Sequence, residues 1–191
     1  SKTIVEYFKS EYEAGRTPNP CVRCNSTMKF GFLLSEARKL GLEFDYFATG
    51  HYARIEEKNG IFYIKKAIDL KKDQSYFIHR LPSDVLSKVM FPLGEMTKSE
   101  VRDIARKYNL EVAEKAESQD FIAGGDYKVL FDKTFEPGDI VDDSGKVLGH
   151  HTGIINYTVG QRKGLGISSH EVLYVKEIDA KNNRIVVTTN D

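Results

Sequence analysis

Apolar residues recur at helical spacing from the start of the chain. Ile4, Val5, Phe8 and Tyr12 fall on one face with Gly15 as a stop, which predicts a helix over 2–14. The stretch 15–25 is rich in Gly, Pro and Asn and reads as irregular. A second helix is predicted over about 27–40, with Phe30, Leu33, Leu34, Ala37 and Leu40 inward and Gly41 ending it. Phe44 to Thr49 is a short apolar run closed by Gly50-His51, the pattern of a buried parallel strand. The runs 54–58 and 61–65 flank Asn59-Gly60 and predict a β-hairpin. Thr97 and Glu100 form a capping-box pattern that opens a helix reaching Tyr108.

Past Pro137 the period changes to short β-branched runs punctuated by glycine, at 139–142, 147–150, 154–159, 172–178 and 184–189. Turn signals at Asp143-Ser144-Gly145 and Lys181-Asn182-Asn183 complete the pattern of a small antiparallel β unit. The change of texture puts a boundary between about 120 and 136. A lone parallel strand forms no sheet, so its partners are expected from sequence beyond this chain, which reads as a fragment.

Composition narrows the picture. The 191 residues carry 28 basic and 28 acidic side chains, so bulk charge alone does not hold a nucleic acid, and any such binding must use a local patch. No apolar run approaches the roughly 18 residues that a membrane-spanning helix needs. Ser1–Gly15 has the pattern of neither a signal nor a transit peptide. Two cysteines in a single C-x-x-C point to a reducing, cytoplasmic setting, since a secreted disulfide scaffold would hold more.

Four segments could carry chemistry. In Pro18-Asn19-Pro20-Cys21-Val22-Arg23-Cys24 the C-x-x-C spacing brings two sulfurs within bridging reach, and Arg16, Arg23 and a helix beginning after Asn25 would lower a thiol pKa. Half of a zinc knuckle is the structural alternative, but the second ligand pair is missing. Ala48-Thr49-Gly50-His51-Tyr52 ends the parallel strand, where open α/β sheets bind ligands, or else it is a plain strand-to-loop turn. Lys71-Lys72-Asp73-Gln74-Ser75-Tyr76-Phe77 could contact phosphates and stack a base, or serve as a solvated linker. Tyr157–Gly166 is a basic glycine-rich loop that lacks the phosphate-loop order. The adjacent His150-His151 would face opposite ways on a strand and form no metal pair.

Taken in order, these strings resemble the bacterial tRNA-specific 2-thiouridylase family (MnmA/TrmU). The matching strings are Gly15-Arg16-Thr17-Pro18-Asn19-Pro20, Cys24-Asn25, Ala48–Tyr52, Lys72–Phe77, Phe91-Pro92-Leu93-Gly94, Ser118-Gln119-Asp120 and Thr158–Gly166, and they span essentially the whole chain. The resemblance implies an α/β fold: 1–120 as the remainder of a PP-loop, adenine-nucleotide hydrolase-like domain with a tRNA-contacting linker near 67–83. A small, mainly antiparallel central β domain would follow over 121–191. The family's nucleotide-binding S-G-G-x-D-S motif and its terminal β-barrel are not in this sequence. Some members carry an older methyltransferase name, and no glycine-rich S-adenosylmethionine loop supports that label here.

The same resemblance implies ATP-dependent (Mg) 2-thiolation of the tRNA wobble uridine. Cys24 looks like the sulfur-bearing nucleophile, while Asn19, Pro20 and Cys21 occupy the segment that meets the target base. Gly50 resembles the ATP-contacting glycine, His51 a tRNA contact, and Lys72, Asp73 and Gln74 the tRNA-contacting loop. Partners would be tRNA and a sulfur donor, a cysteine desulfurase or relay protein, with no membrane.

Two departures stand out. Cys21 replaces the Asp of many relatives, and 118–125 lacks their second catalytic cysteine. Sulfur would then leave through a Cys21–Cys24 disulfide, or from an iron–sulfur cluster ligated by Cys21 and Cys24 with a further ligand from outside this sequence. Two rival readings remain. One is a non-catalytic tRNA-binding module with a structural C-x-x-C. The other is a thiol–disulfide oxidoreductase, against which a helix starting only after Asn25 would count.

Overall fold

The computed structural model describes residues 2–114, 127–132 and 134–189. These group into two compact units, one formed by 1–20 with 122–191 and the other by 21–121. The Ser118-Gln119-Asp120 string and the missing-cysteine position lie outside the described residues.

In the first unit, helix α1 (Lys2–Glu13) buries Ile4 and Phe8. Tyr12 of α1 stacks on Tyr127, ring centroids 5.0 Å apart, and meets Phe131 edge-on at 6.3 Å. Gly15 ends the helix at φ 72°, and a Cβ there would lie 2.6 Å from the Ile178 carbonyl oxygen, so the turn requires glycine. The β part is a four-stranded sheet of β5 (Gly138–Val141), β6 (Val147–His151), β7 (Tyr174–Asp179) and β8 (Arg184–Thr188), in the order β6-β5-β8-β7. Ile140, Ile185, Val187 and Val175 form its buried centre. Two expectations are corrected here. The pair β5/β8 runs parallel, so the sheet is mixed. The run 154–159 holds a 3₁₀ turn, Ile154–Asn156, which packs Ile154 and Ile155 into the core from outside the ladder.

His151 is fully buried: Nδ1 accepts the Gly153 N–H at 3.0 Å and Nε2 lies 3.0 Å from the Asn183 carbonyl oxygen. Its neighbour His150 points outward to Asp139. The two rings face opposite ways, as strand alternation requires.

In the second unit, β2 (Ala53–Lys58) and β3 (Ile61–Lys66) pair antiparallel across Asn59-Gly60, both at positive φ (54° and 76°), the two-residue turn that strand twist favours. Strand β1 (Phe47–Ala48) finds its parallel partner inside the chain, β4 (Val89–Met90), so the expectation that every partner lies elsewhere is corrected. Phe47 is half-buried and Ala48 exposed, short of the burial expected of an inner strand. Short helices α4 (Ser75–Ile78) and α5 (Ser83–Leu86) pack Ile78 and Leu86 with Phe30, Ala53, Leu81, Val89 and Phe91. Helix α6 (Lys98–Lys107) carries the expected capping box, with the Thr97 N–H donating to Glu100 Oε2 at 2.7 Å.

The helix that bears the cysteines starts seven residues before the sequence suggests. It runs as α2 (Pro20–Arg23), a π-helix over Cys24–Phe32, and α3 (Leu33–Lys39), with right-handed helical dihedrals at both junction residues, Arg23 and Leu33. Pro20 opens it because proline's fixed φ suits a first helical position and its absent N–H has no partner to lose there. The wide π turns alter which residues share a face. Phe30 and Leu34 are buried, whereas Leu33 and Leu40, expected inward, are exposed.

Candidate active site

Cys21 and Cys24 therefore sit in the first turns of a helix, three residues apart on one face. Cys21 is exposed, Cys24 half-buried, and both are free thiols with no disulfide between them. The helix begins at the C-x-x-C, which corrects the argument that a late start counts against redox exchange.

The electrostatics also differ from expectation. Partial desolvation of its sulfur, and then the neighbouring Cys24, push the Cys21 pKa up, and the cation that opposes them is Lys29. Arg16 is held by a bidentate pair with Glu11 at 2.7 Å, and no lowering of Cys21 traces to Arg16 or Arg23. Lys29 stands five residues after Cys24, one turn of the i→i+5 π ladder. It stands eight residues after Cys21, and the stretch between them starts in what the sequence predicts to be a loop, so the helix that brings the two near each other is not expected from the sequence.

Lys29 also acts on His51. Burial, and then the Lys29 charge, lower the His51 pKa to about 4, so the ring is neutral at pH 7. His51 packs between Phe30 and Phe91, centroids 5.9 and 5.8 Å away, and its Nδ1 shares a 2.8 Å hydrogen bond with the Thr49 hydroxyl. Gly50, just before it, is exposed. A Cβ there would meet only Leu93 Cδ1 at 3.6 Å, an ordinary contact. The protein's own packing does not demand glycine at 50, and the open face suits close approach by a nucleotide.

The linker near 67–83 joins this region. Buried Asn25 donates from Nδ2 to the Phe77 carbonyl at 3.0 Å, tying the cysteine helix to α4. Gln74 bonds Tyr52, the residue after His51, through side chain and backbone alike. Asp73 accepts from the Ala67 N–H (2.8 Å) and the Ser75 hydroxyl (2.6 Å). Lys72 is half-buried beside it. Cys21, Cys24, Gly50, His51, Lys72, Asp73 and Gln74 all belong to the second unit. Asn19 is half-buried and Pro20 buried at the head of α2, in the residue range of the other unit. The loop 158–166 also belongs to that other unit. There Gln161 Oε1 accepts from the Thr158 N–H at 3.0 Å and its Nε2 donates to the Lys163 carbonyl at 2.9 Å.

Among the described residues no group of three or more His, Cys, Asp or Glu side chains could hold a metal ion. Cys21 and Cys24 by themselves supply two of the four ligands of a usual iron–sulfur cluster, so the described residues do not fit a complete cluster site. No described helix is long and apolar enough to cross a membrane.

Comparison with known proteins identifies the domains and the family. Residues 1–123 match the family model described as tRNA methyl transferase HUP domain, and 131–189 match the tRNA methyl transferase PRC-barrel domain. The fold is accordingly a HUP α/β domain, of the adenine-nucleotide hydrolase-like type that implies ATP binding, followed by a PRC-barrel β domain. The chain is 50% identical over all its length to the tRNA-specific 2-thiouridylase MnmA of Endomicrobium trichonymphae, covering 54% of that protein. It is 52% identical over 96% of its length to MnmA 1 of Caldanaerobacter subterraneus subsp. tengcongensis, covering 52%, and 50% identical over 96% to MnmA of Nostoc punctiforme, covering 54%. The chain spans about half the length of the curated relatives it matches. Both domains match in order and the identity is near one half along the whole chain, so this chain belongs to the MnmA tRNA-specific 2-thiouridylase family.

Proposed function

We propose that this chain is the base-facing part of a cytoplasmic enzyme that replaces the C2 oxygen of a tRNA wobble uridine with sulfur at the expense of ATP. The observation that carries the reading is the pair Cys21 and Cys24, the chain's two thiols, one helical turn apart in a sequence half identical to proteins named tRNA-specific 2-thiouridylase.

The chemistry requires activation first. A uridine oxygen is a poor leaving group, so it attacks the α-phosphate of ATP and pyrophosphate departs. Cys24 then carries the transferable sulfur as a persulfide. Its terminal sulfur attacks C2, and AMP leaves with the original oxygen. The Cys21 thiolate next attacks the Cys24 sulfur. The bond between that sulfur and the transferred one breaks, the transferred sulfur stays on the base, and a Cys21–Cys24 disulfide forms. A dithiol reductant restores the pair, and a cysteine desulfurase or relay protein reloads Cys24.

Cys21 can take this role without the aspartate common at its position, because one helical turn separates it from Cys24. Asn19 and Pro20 meet the target base beside Cys21, a stiff segment suited to a base pulled out of its stack. Gly50 meets the nucleotide, neutral His51 touches RNA, and the segment of Lys72, Asp73 and Gln74 serves the tRNA.

The test is 2-thiouridine formation, read by mass spectrometry of digested tRNA, in an enzyme with the full length of its relatives. Cys24→Ser is expected to abolish it and Cys21→Ser to reduce it nearly as far. Wild-type thiolation by Cys24→Ser would overturn the reading in favour of a non-catalytic tRNA-binding module.

A further inference from the structure

Residues 67–74 are bound into the protein by three side-chain hooks. Asp69 accepts from the Lys71 N–H at 3.1 Å and the Lys98 N–H at 3.0 Å. Asp73 uses both oxygens inward, on Ala67 and Ser75. Gln74 makes the third hook. Its backbone N–H donates to the Tyr52 carbonyl at 2.8 Å, and its Oε1 accepts the Tyr52 N–H at 3.0 Å. The amide oxygen thus stands where a partner strand's carbonyl would, and the two bonds make a one-residue strand bridge in which one acceptor is a side chain. Tyr52 is buried and has the Lys98 ammonium 5.5 Å above its ring, so its N–H has little access to water. The residues before it are Gly50 and His51. On the outer side of the same segment, Lys71 and Tyr76 are exposed.

We propose that Gln74 is a positioning residue: it clamps Tyr52 and so couples the RNA-facing segment 67–76 to the Gly50–His51 loop, while Lys71 on the outer side meets the RNA backbone. The inference rests on the thiolation reading above for the identity of the RNA and the nucleotide. Asp73 belongs to the inward set, for both its oxygens are engaged and a carboxylate would repel phosphate. The clamp has a consequence that direct contact lacks. Loosening it disturbs the nucleotide side of the loop as well as the RNA side.

Two measurements test this. The first is hydrogen exchange at the Tyr52 amide in the 191-residue chain without tRNA. Gln74→Ala should speed it about tenfold, the loss one buried hydrogen bond produces, while Gln74→Glu, which keeps an oxygen acceptor in place, should leave it slow. The second is steady-state kinetics of an enzyme with the relatives' full length. Gln74→Ala should raise KM for ATP and for tRNA together, by about tenfold each, with the ATP effect recovered in Gln74→Glu. Lys71→Ala should raise KM for tRNA alone and lower the salt slope of tRNA binding by about one. Unchanged exchange at Tyr52, or a Gln74→Ala defect confined to tRNA, overturns the clamp. A wild-type enzyme that forms no 2-thiouridine overturns the function reading instead, and Tyr52 exchange still decides the clamp.

Discussion

At the scale of single residues, the candidate site is governed by contacts that no spacing rule shows. Gly50 and His51 stand side by side in one loop, yet different forces set their behaviour. Gly50 has room for a Cβ, whose nearest neighbour would be Leu93 Cδ1 at 3.6 Å. Gly50→Ala is therefore expected to leave the thermal midpoint of the chain within about 2 °C, because surface changes of this kind stay within ~0.5 kcal/mol. The same change should raise KM for ATP in the full-length enzyme, because the methyl occupies the nucleotide's approach. His51 is held neutral by burial and by Lys29, with a folded pKa of about 4 against roughly 6.5 unfolded. A depressed folded pKa means the unfolded chain takes the proton first. The stability that neutral His51 contributes is complete above pH 6.5 and is lost as pH falls towards 4. Urea midpoints of the 21–121 unit should thus drop between pH 7 and 4.5, and His51→Asn should flatten that drop.

At the scale of elements, close approach of backbones decides what is tolerated. Gly94 ends the Phe91-Pro92-Leu93-Gly94 turn against the start of β2. A Cβ there would lie 1.8 Å from the Ala53 carbonyl oxygen, and the Gly94 carbonyl accepts the Ile68 N–H at 3.0 Å. Gly94→Ala must push two backbones apart next to buried Ala53 and Tyr52, an overpacking cost of about 1–3 kcal/mol or more. Circular dichroism melts should show the 21–121 unit losing stability while Gly50→Ala keeps it. The capping box of α6 and the Asn59-Gly60 hairpin were legible because each is a local rule written within four residues. The cysteine helix was legible only in part. Its Gly, Pro and Asn content argued for a loop, but Pro20 tolerates a helix start and the π turns that follow lie outside any 3.6-residue pattern.

At the scale of the whole chain, the first helix joins the β unit, across more than a hundred residues of sequence. Ile4 and Phe8 are buried there, Tyr12 stacks on Tyr127, and Lys9 pairs with Asp132 at 2.7 Å. A shortened chain of residues 122–191 should be less stable than the same unit with 1–20 attached. The burial of Ile4 and Phe8 that is lost with residues 1–20 is alone worth roughly 3–6 kcal/mol. Equal denaturant midpoints for the β unit with and without 1–20 would contradict this. The sequence by itself determined the α/β-then-β order, the hairpin, the capped helix, the outward and inward turn of His150 and His151, and the family, because local periodicity and ordered motifs hold that information. Tertiary structure alone decided four other features: the pairing of β1 with β4, the parallel contact of β5 with β8, the reach of Lys29 to His51, and the grip of Gln74 on Tyr52. Each of these joins residues whose partners are set by how separate segments pack, a distance that neighbouring residues along the chain do not encode.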